Sequence, residues 1–164
     1  MGEGESAGAG GVEAVVHYLR EAGVSHEVLE HDPTYSARED AKATGTTLAE
    51  EAKTILLRSG DQYRAAVLPA SRRLDLHKVR EVLDETSRLR LATEDELRAH
   101  FPQFEVGAAP PFGVILSAPQ VVDRRLLECE RISCAAGDHR HSLRLDPREI
   151  VRVGDVLVAD ICED

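Results

Sequence analysis

The 164-residue sequence is short of cysteine, of long apolar runs and of positive charge, and each shortage closes off a class of protein. Cys129, Cys134 and Cys162 are odd in number and lack Cys-x-x-Cys spacing, which argues against a disulfide framework and against a zinc site. The same scarcity makes a reducing cytoplasm the expected compartment. No apolar run approaches the roughly 18 residues of a membrane-crossing helix, so no membrane partner is expected. With 20 Lys and Arg against 30 Asp and Glu the net charge is −10, which argues against a broad nucleic-acid coat and leaves no place for DNA as a partner. Ser71, in Pro69-Ala70-Ser71-Arg72-Arg73, lacks a Gly-x-Ser-x-Gly context, so a serine hydrolase reading of it is poor. Residues 1–11 are glycine-rich and acidic, without the basic and apolar stretches of a secretory signal, and are expected to be a disordered lead-in. With no repeat and no linker, residues 12–164 read as one domain.

What is present describes an ordinary globular chain, 42% hydrophobic and 30% charged. Its charge is unevenly spread: residues 1–52 sum to −8, residues 53–100 to +2 and residues 101–164 to −4. A locally basic middle suits contact with the end of an RNA, although a solvated helix face explains the charge as well.

Periodicity supplies the elements. Val12, Val15, Val16 and Leu19 fall at helical spacing with Gly23 beyond them, and Val24, His26 and Val28 alternate as a strand. Ser36 with Glu39, and Thr47 with Glu50, each read as a capping box, predicting two short helices parted by Gly45. Residues 54–58 and 63–68 form a hairpin signal around Gly60-Asp61. Asp75 caps a helix burying Leu76, Val79, Val82 and Leu83; residues 88–91 read as a strand, and Thr93 with Glu96 opens a helix ending before Pro102. Further strands are predicted at 113–116, 121–122, 132–136, 142–145 and 156–161, with a helical turn at Leu126-Leu127 and a helix from Asp146-Pro147. The sum is an α+β domain with a mixed, curved, barrel-like sheet flanked by helices.

Two features point to chemistry. Gly107-Ala108-Ala109-Pro110-Pro111-Phe112-Gly113 is a stiff loop whose glycines let a ligand approach the main chain. Lys53 opens the apolar run Thr54-Ile55-Leu56-Leu57, where a cation is unfavourable unless it faces a cleft or a partner. Backbone donors and one ammonium can polarise a carbonyl without a metal or a covalent nucleophile. Either feature has an ordinary explanation too, as a rigid turn and as a lysine with its head in water.

The order of short motifs resembles the YbaK family, related to the editing domain inserted in bacterial prolyl-tRNA synthetases. The matching pieces are Glu30-His31-Asp32-Pro33, Ala52-Lys53-Thr54-Ile55-Leu56, residues 68–76, Leu91-Ala92-Thr93, Gly107-x-x-x-Pro111 with Phe112-Gly113, and Ala136-Gly137. The resemblance implies a trans-editing aminoacyl-tRNA deacylase that uses no metal and no cofactor. The partners it implies are the acceptor end of an aminoacyl-tRNA and an aminoacyl-tRNA synthetase. It implies that Lys53 lies in the substrate pocket and that Gly107 presents its backbone to the terminal ribose and ester carbonyl. Where cysteine-clearing members have a tyrosine before the Glu-His-Asp stretch, this chain has Leu29, and its His31-x-x-Thr34 and Pro110-Pro111-Phe112-Gly113 forms look closer to the alanine-clearing or uncharacterised branches.

Other candidates follow. His31 and Thr34 could contact substrate or only satisfy their turn. Ser71 could face the pocket, as could Ala108, Pro110, Pro111, Phe112 and Gly113, and Arg72 and Arg73 could hold RNA phosphates or be a solvated pair. His139 and His141 lack further ligands at metal spacing. The cysteines are expected as small buried hydrophobes, and Asp123 with Arg124-Arg125 as surface. The expected function is hydrolysis of a small amino acid from mischarged tRNA. The alternatives are an inactive tRNA- or synthetase-binding module and an esterase of small molecules.

Overall fold

The computed structural model describes residues 9–164; most of the expected lead-in lies outside them, and Gly10 and Gly11 belong to the first helix. The chain runs α1 (Ala9–Glu21), β1 (His26–Glu30), α2 (Ala37–Thr44), β2 (Glu51–Ser59), β3 (Gln62–Pro69), α3 (Leu76–Leu83), β4 (Leu89–Leu91) and α4 (Glu94–His100). It continues through α5 (Gly113–Leu116), β5 (Gln120–Asp123), a 3-10 turn (Arg124–Glu128), β6 (Ile132–Ala135), β7 (His141–Leu145), α6 (Pro147–Val153) and β8 (Val156–Ala159). Among the described residues no helix is long and apolar enough to cross a membrane.

Eight strands make one mixed sheet in the order β1-β7-β6-β2-β3-β5-β8, with β4 pairing β2 off that path. The sheet is open, with β1 and β8 at its ends, so the expected α+β fold holds without closure into a barrel. The β2–β3 hairpin turns at Gly60, whose φ of +60° suits the first central position of a tight hairpin. Alternation along the hairpin feeds two cores. Leu56 and Val67 pack with Val15 and Leu19 of α1 and with Phe101, Phe104 and Phe112. Leu57, Ala66 and Leu68 pack with Val79 of α3 and with Ile161.

Three expectations are corrected. Residues 113–116, an apolar β-branched run, form helix α5 rather than a strand. Ser117 closes it in the left-handed region at φ +54°, and Gln120 clamps its start by accepting from the Gly113 N–H at 2.7 Å and donating to the Pro111 carbonyl at 2.6 Å. A Cβ on Gly113 would sit 2.4 Å from the Ala118 oxygen, so this tight return requires glycine. Thr47 and Glu50 do form reciprocal contacts, with Glu50 accepting from the Thr47 N–H at 3.0 Å and Thr47 from the Glu50 N–H at 3.0 Å. These close a turn and not a helix, because β2 begins at the next residue.

Asp123 is fully buried and not at the surface. It accepts from the N–H groups of Arg125 and Ile161 and from the Cys162 thiol, and pairs with the Arg125 guanidinium at 3.1 Å, as a buried carboxylate requires. Asp160 completes the network with Arg125 and Lys78. Asp123, Asp160 and Cys162 could all reach one point, but the two cations already neutralise the carboxylates. Burial, then the Asp123 carboxylate, push the Cys162 thiol up to about 12. Cys134 and Cys162 are buried as expected, and Cys129 only half so.

Candidate active site

Partway along β2 the sheet loses a neighbour. β6 pairs only with Glu51 and Ala52, and β4 only with Leu57, Arg58 and Ser59. Between them the Leu56 carbonyl accepts from the Ala92 N–H at 3.0 Å, so it points away from β3. Alternation along the strand turns the Thr54 N–H and carbonyl the same way, into a gap that neither strand fills.

The gap borders a cavity of about 210 Å³. One wall is Thr54, Ile55 and Leu56. Leu91, Ala92 and Leu97 supply a second, and the segment running from Phe101 through Phe104, Glu105 and Val106 to Gly107 and Ala109 the third. This is smaller than the roughly 300–1,000 Å³ of pockets for drug-sized ligands, and its lining is mostly apolar. It suits a small side chain with a few polar atoms beside it.

Gly107 sits at φ +86°, a conformation reached without strain by glycine. Ala108 donates its N–H to the Glu105 carbonyl at 3.0 Å, and Gly113 donates to Gln120. Among the described residues the N–H groups of Gly107 and Ala109, both cavity members, have no acceptor within the chain. His139 buttresses the segment. Its Nε2 lies 2.9 Å from the Val106 carbonyl, its N–H donates to Glu105 Oε1 at 2.7 Å, and its Cε1 lies 3.7 Å from where a Gly107 Cβ would be. Tyr35, 74% exposed, lies across the His139 ring with centroids 5.1 Å apart.

The residues named from sequence separate. Thr34 is drawn to this buttress, its N–H donating to the His139 carbonyl at 2.9 Å and its hydroxyl to Asp40. His31 is held locally, Nδ1 at 2.8 Å from the Asp32 carbonyl and Nε2 at 2.9 Å from Ser142 Oγ. Lys53 immediately precedes the β2 wall but is not part of the lining, and among the described residues its ammonium makes no hydrogen bond or ion pair. Ala108, Pro110, Pro111 and Phe112 are buried, and Phe112 packs on Tyr18 at 5.7 Å between centroids. Ser71 and Arg72 line a different cleft with Arg124 and Arg125, and Arg73 is exposed nearby.

At the head of β2, Glu51 is 3% exposed and accepts from Ser133 Oγ at 2.5 Å, within a group of hydroxyls from Thr44, Thr46 and Ser133. Burial, with the Asp40 charge adding to it, lifts its carboxyl to about 8 against the opposing Ser133 hydrogen bond. Glu51 therefore holds its proton at neutral pH.

Residues 31–153 match the family described as the aminoacyl-tRNA editing domain. The chain belongs to that family. The editing domain is also 30% identical over 105 residues to the prolyl-tRNA editing protein ProX of Acetoanaerobium sticklandii, a match spanning 63% of each protein. Among solved structures it is similar to a candidate trans-editing enzyme for prolyl-tRNA synthetase, with a TM-score of 0.83, 27% identity and coverage of 94% of this chain and 98% of that one. A solved chain described only as a hypothetical protein matches at TM-score 0.82 and 27% identity, covering 91% and 99%. In this editing domain sequence reasoning singled out Gly107 but passed over Thr54, Tyr35 and Glu105, and weighed His139 only as a metal ligand. Glu105 stands two residues before Gly107, which was a usable signal; nothing in spacing pointed to Thr54 or His139.

Proposed function

We propose that this editing domain is a deacylase acting in trans in the cytoplasm. It hydrolyses the ester of a small, wrongly attached amino acid, such as alanine or cysteine, on a tRNA, with proline tRNA as the expected substrate. The supporting observation is the small apolar cavity walled by the Lys53 strand and by the Gly107 segment, where two main-chain N–H groups lack internal acceptors. An aminoacyl ester is already activated. Water adds to its carbonyl carbon, negative charge gathers on the carbonyl oxygen, and collapse releases the amino acid and the ribose hydroxyl.

The N–H groups of Gly107 and Ala109 are suited to that oxyanion, where one donor is worth about 2.7–4 kcal/mol of barrier. The neighbouring ribose hydroxyl orients water and relays its proton. Lys53, just outside the cavity wall, holds the terminal phosphate or adenosine rather than moving a proton. Arg72 and Arg73, with Arg124, extend phosphate contact along the acceptor end. The walls exclude a larger correct residue, which is the second sieve of editing.

A panel of mischarged tRNAs tests this reading. Rapid loss of at least one ester is expected, with a steep fall in Lys53→Ala and weaker binding at higher salt. Ester loss no faster than in buffer, with tRNA still bound, would make the protein a binding module instead. Cleavage of simple esters regardless of RNA would make it a general esterase.

A further inference from the structure

Thr54 Oγ1 is hidden from solvent and makes no hydrogen bond, alone in this among the buried side-chain nitrogen and oxygen atoms of the described residues. Folded proteins rarely leave a buried hydroxyl unpaired, so an unpaired one at a cavity calls for a partner that arrives from outside. Thr54 lines the cavity, and its main chain borders the gap between β6 and β4. Its Cβ carries a hydroxyl, a methyl and a hydrogen, so one step of χ1 re-aims the oxygen into the place of one of the others without moving the strand. Glu105 belongs to the same lining, and the remaining side chains there are apolar. Beside the N–H donors of Thr54, Gly107 and Ala109, the Thr54 hydroxyl, the Thr54 carbonyl and the Glu105 carboxylate make a separate set of acceptors.

Such a set suits a small cation with several N–H donors. Resting on the deacylase reading, the substrate supplies one, the α-ammonium group next to the ester carbonyl. We propose that Thr54 and Glu105 seat the α-ammonium of the aminoacyl group and so bring its ester carbonyl towards Gly107 and Ala109. The pair does not read the amino acid's side chain. It reads the free amine, which separates aminoacyl-tRNA from its N-acylated and peptidyl counterparts.

The test takes whichever mischarged tRNA the full-length protein cleaves fastest and compares it with the same tRNA after N-acetylation of the amino acid. Each enzymatic rate is divided by its spontaneous rate in buffer. The wild type is expected to favour the free amine by about tenfold or more, the value of a hydrogen bond to a charged group. Thr54→Val should lower kcat/KM for the free amine by roughly tenfold, leave the acetylated form unchanged and not lower the thermal midpoint, while Thr54→Ser keeps most of the activity. Equal cleavage of both forms by the wild type overturns the proposal and leaves the deacylase reading standing. So does a Thr54→Val variant that slows both forms alike or melts earlier. Cleavage of no mischarged tRNA removes the deacylase reading, and the proposal with it.

Discussion

Glu51→Gln is expected to abolish a pH dependence built into the stability of the fold. The carboxyl at the head of β2 is buried beside the hydroxyls of Thr44, Thr46 and Ser133, with Asp40 close enough for its charge to act on it, and among the described residues no ion pair offsets its charge. Its pKa stands at about 8 in the folded chain, against the model-peptide value of 4.5 in the unfolded one. A raised carboxyl means that the native state keeps a proton which the unfolded state has lost. The stabilisation is therefore complete below the unfolded value and is lost as pH rises through the folded one. Each pH unit inside that window is worth about 1.4 kcal/mol, so the whole effect is on the order of a few kcal/mol. Glutamine matches the protonated acid in shape and donor capacity but cannot ionise. Urea unfolding of both proteins from pH 4 to pH 9 should give similar stability at the acid end and a growing advantage for the variant towards pH 9. A flat difference across that range, or a variant less stable at pH 9, would refute the assignment of a proton to Glu51.

Two glycines offer further checks. Gly107→Ala puts a Cβ at φ +86° without a steric clash, since the nearest atom is 3.7 Å away; about 1–2 kcal/mol should be lost to backbone strain, read by urea unfolding, and ester hydrolysis should fall with it. Gly11→Ala improves helix propensity, yet its Cβ would lie 2.1 Å from the Gln103 oxygen and 2.8 Å from Phe104 Cδ1. A loss of roughly 1–3 kcal/mol is expected, as for other overpacked sites, with slower ester hydrolysis because Phe104 walls the cavity. Unchanged stability in Gly11→Ala would mean that α1 does not approach that loop.

Local chemistry was readable wherever a few adjacent residues decide the outcome. Thr93 and Glu96 form the full reciprocal cap, and Ser36 accepts from the Glu39 N–H as its spacing predicts. The same pattern at Thr47 and Glu50 misled because a cap also closes an isolated turn, and only the start of β2 shows which it is. Residues 113–116 carry β-branched side chains, but the Gln120 clamp and the left-handed Ser117 override that preference. Asp123 looked like a surface charge because its partners Arg125, Ile161 and Cys162 are assembled by the tertiary fold. In the site, Gly107 was legible from composition alone. Thr54, Glu105 and His139 were not, since they meet only because β6 and β4 stop short of each other along β2.

That interruption has a consequence for how the domain can change over time. Hydrogen bonds offered by a strand's own peptide groups survive replacement of every side chain around them, so the open Thr54 N–H and carbonyl stay on offer while the residues facing them vary. Leu91, Leu97, Phe101 and Val106 are then free to resize the chamber for a different amino acid. A slip of one residue between β2 and either neighbour would instead present the opposite set of peptide groups, and preference and grip would be lost together.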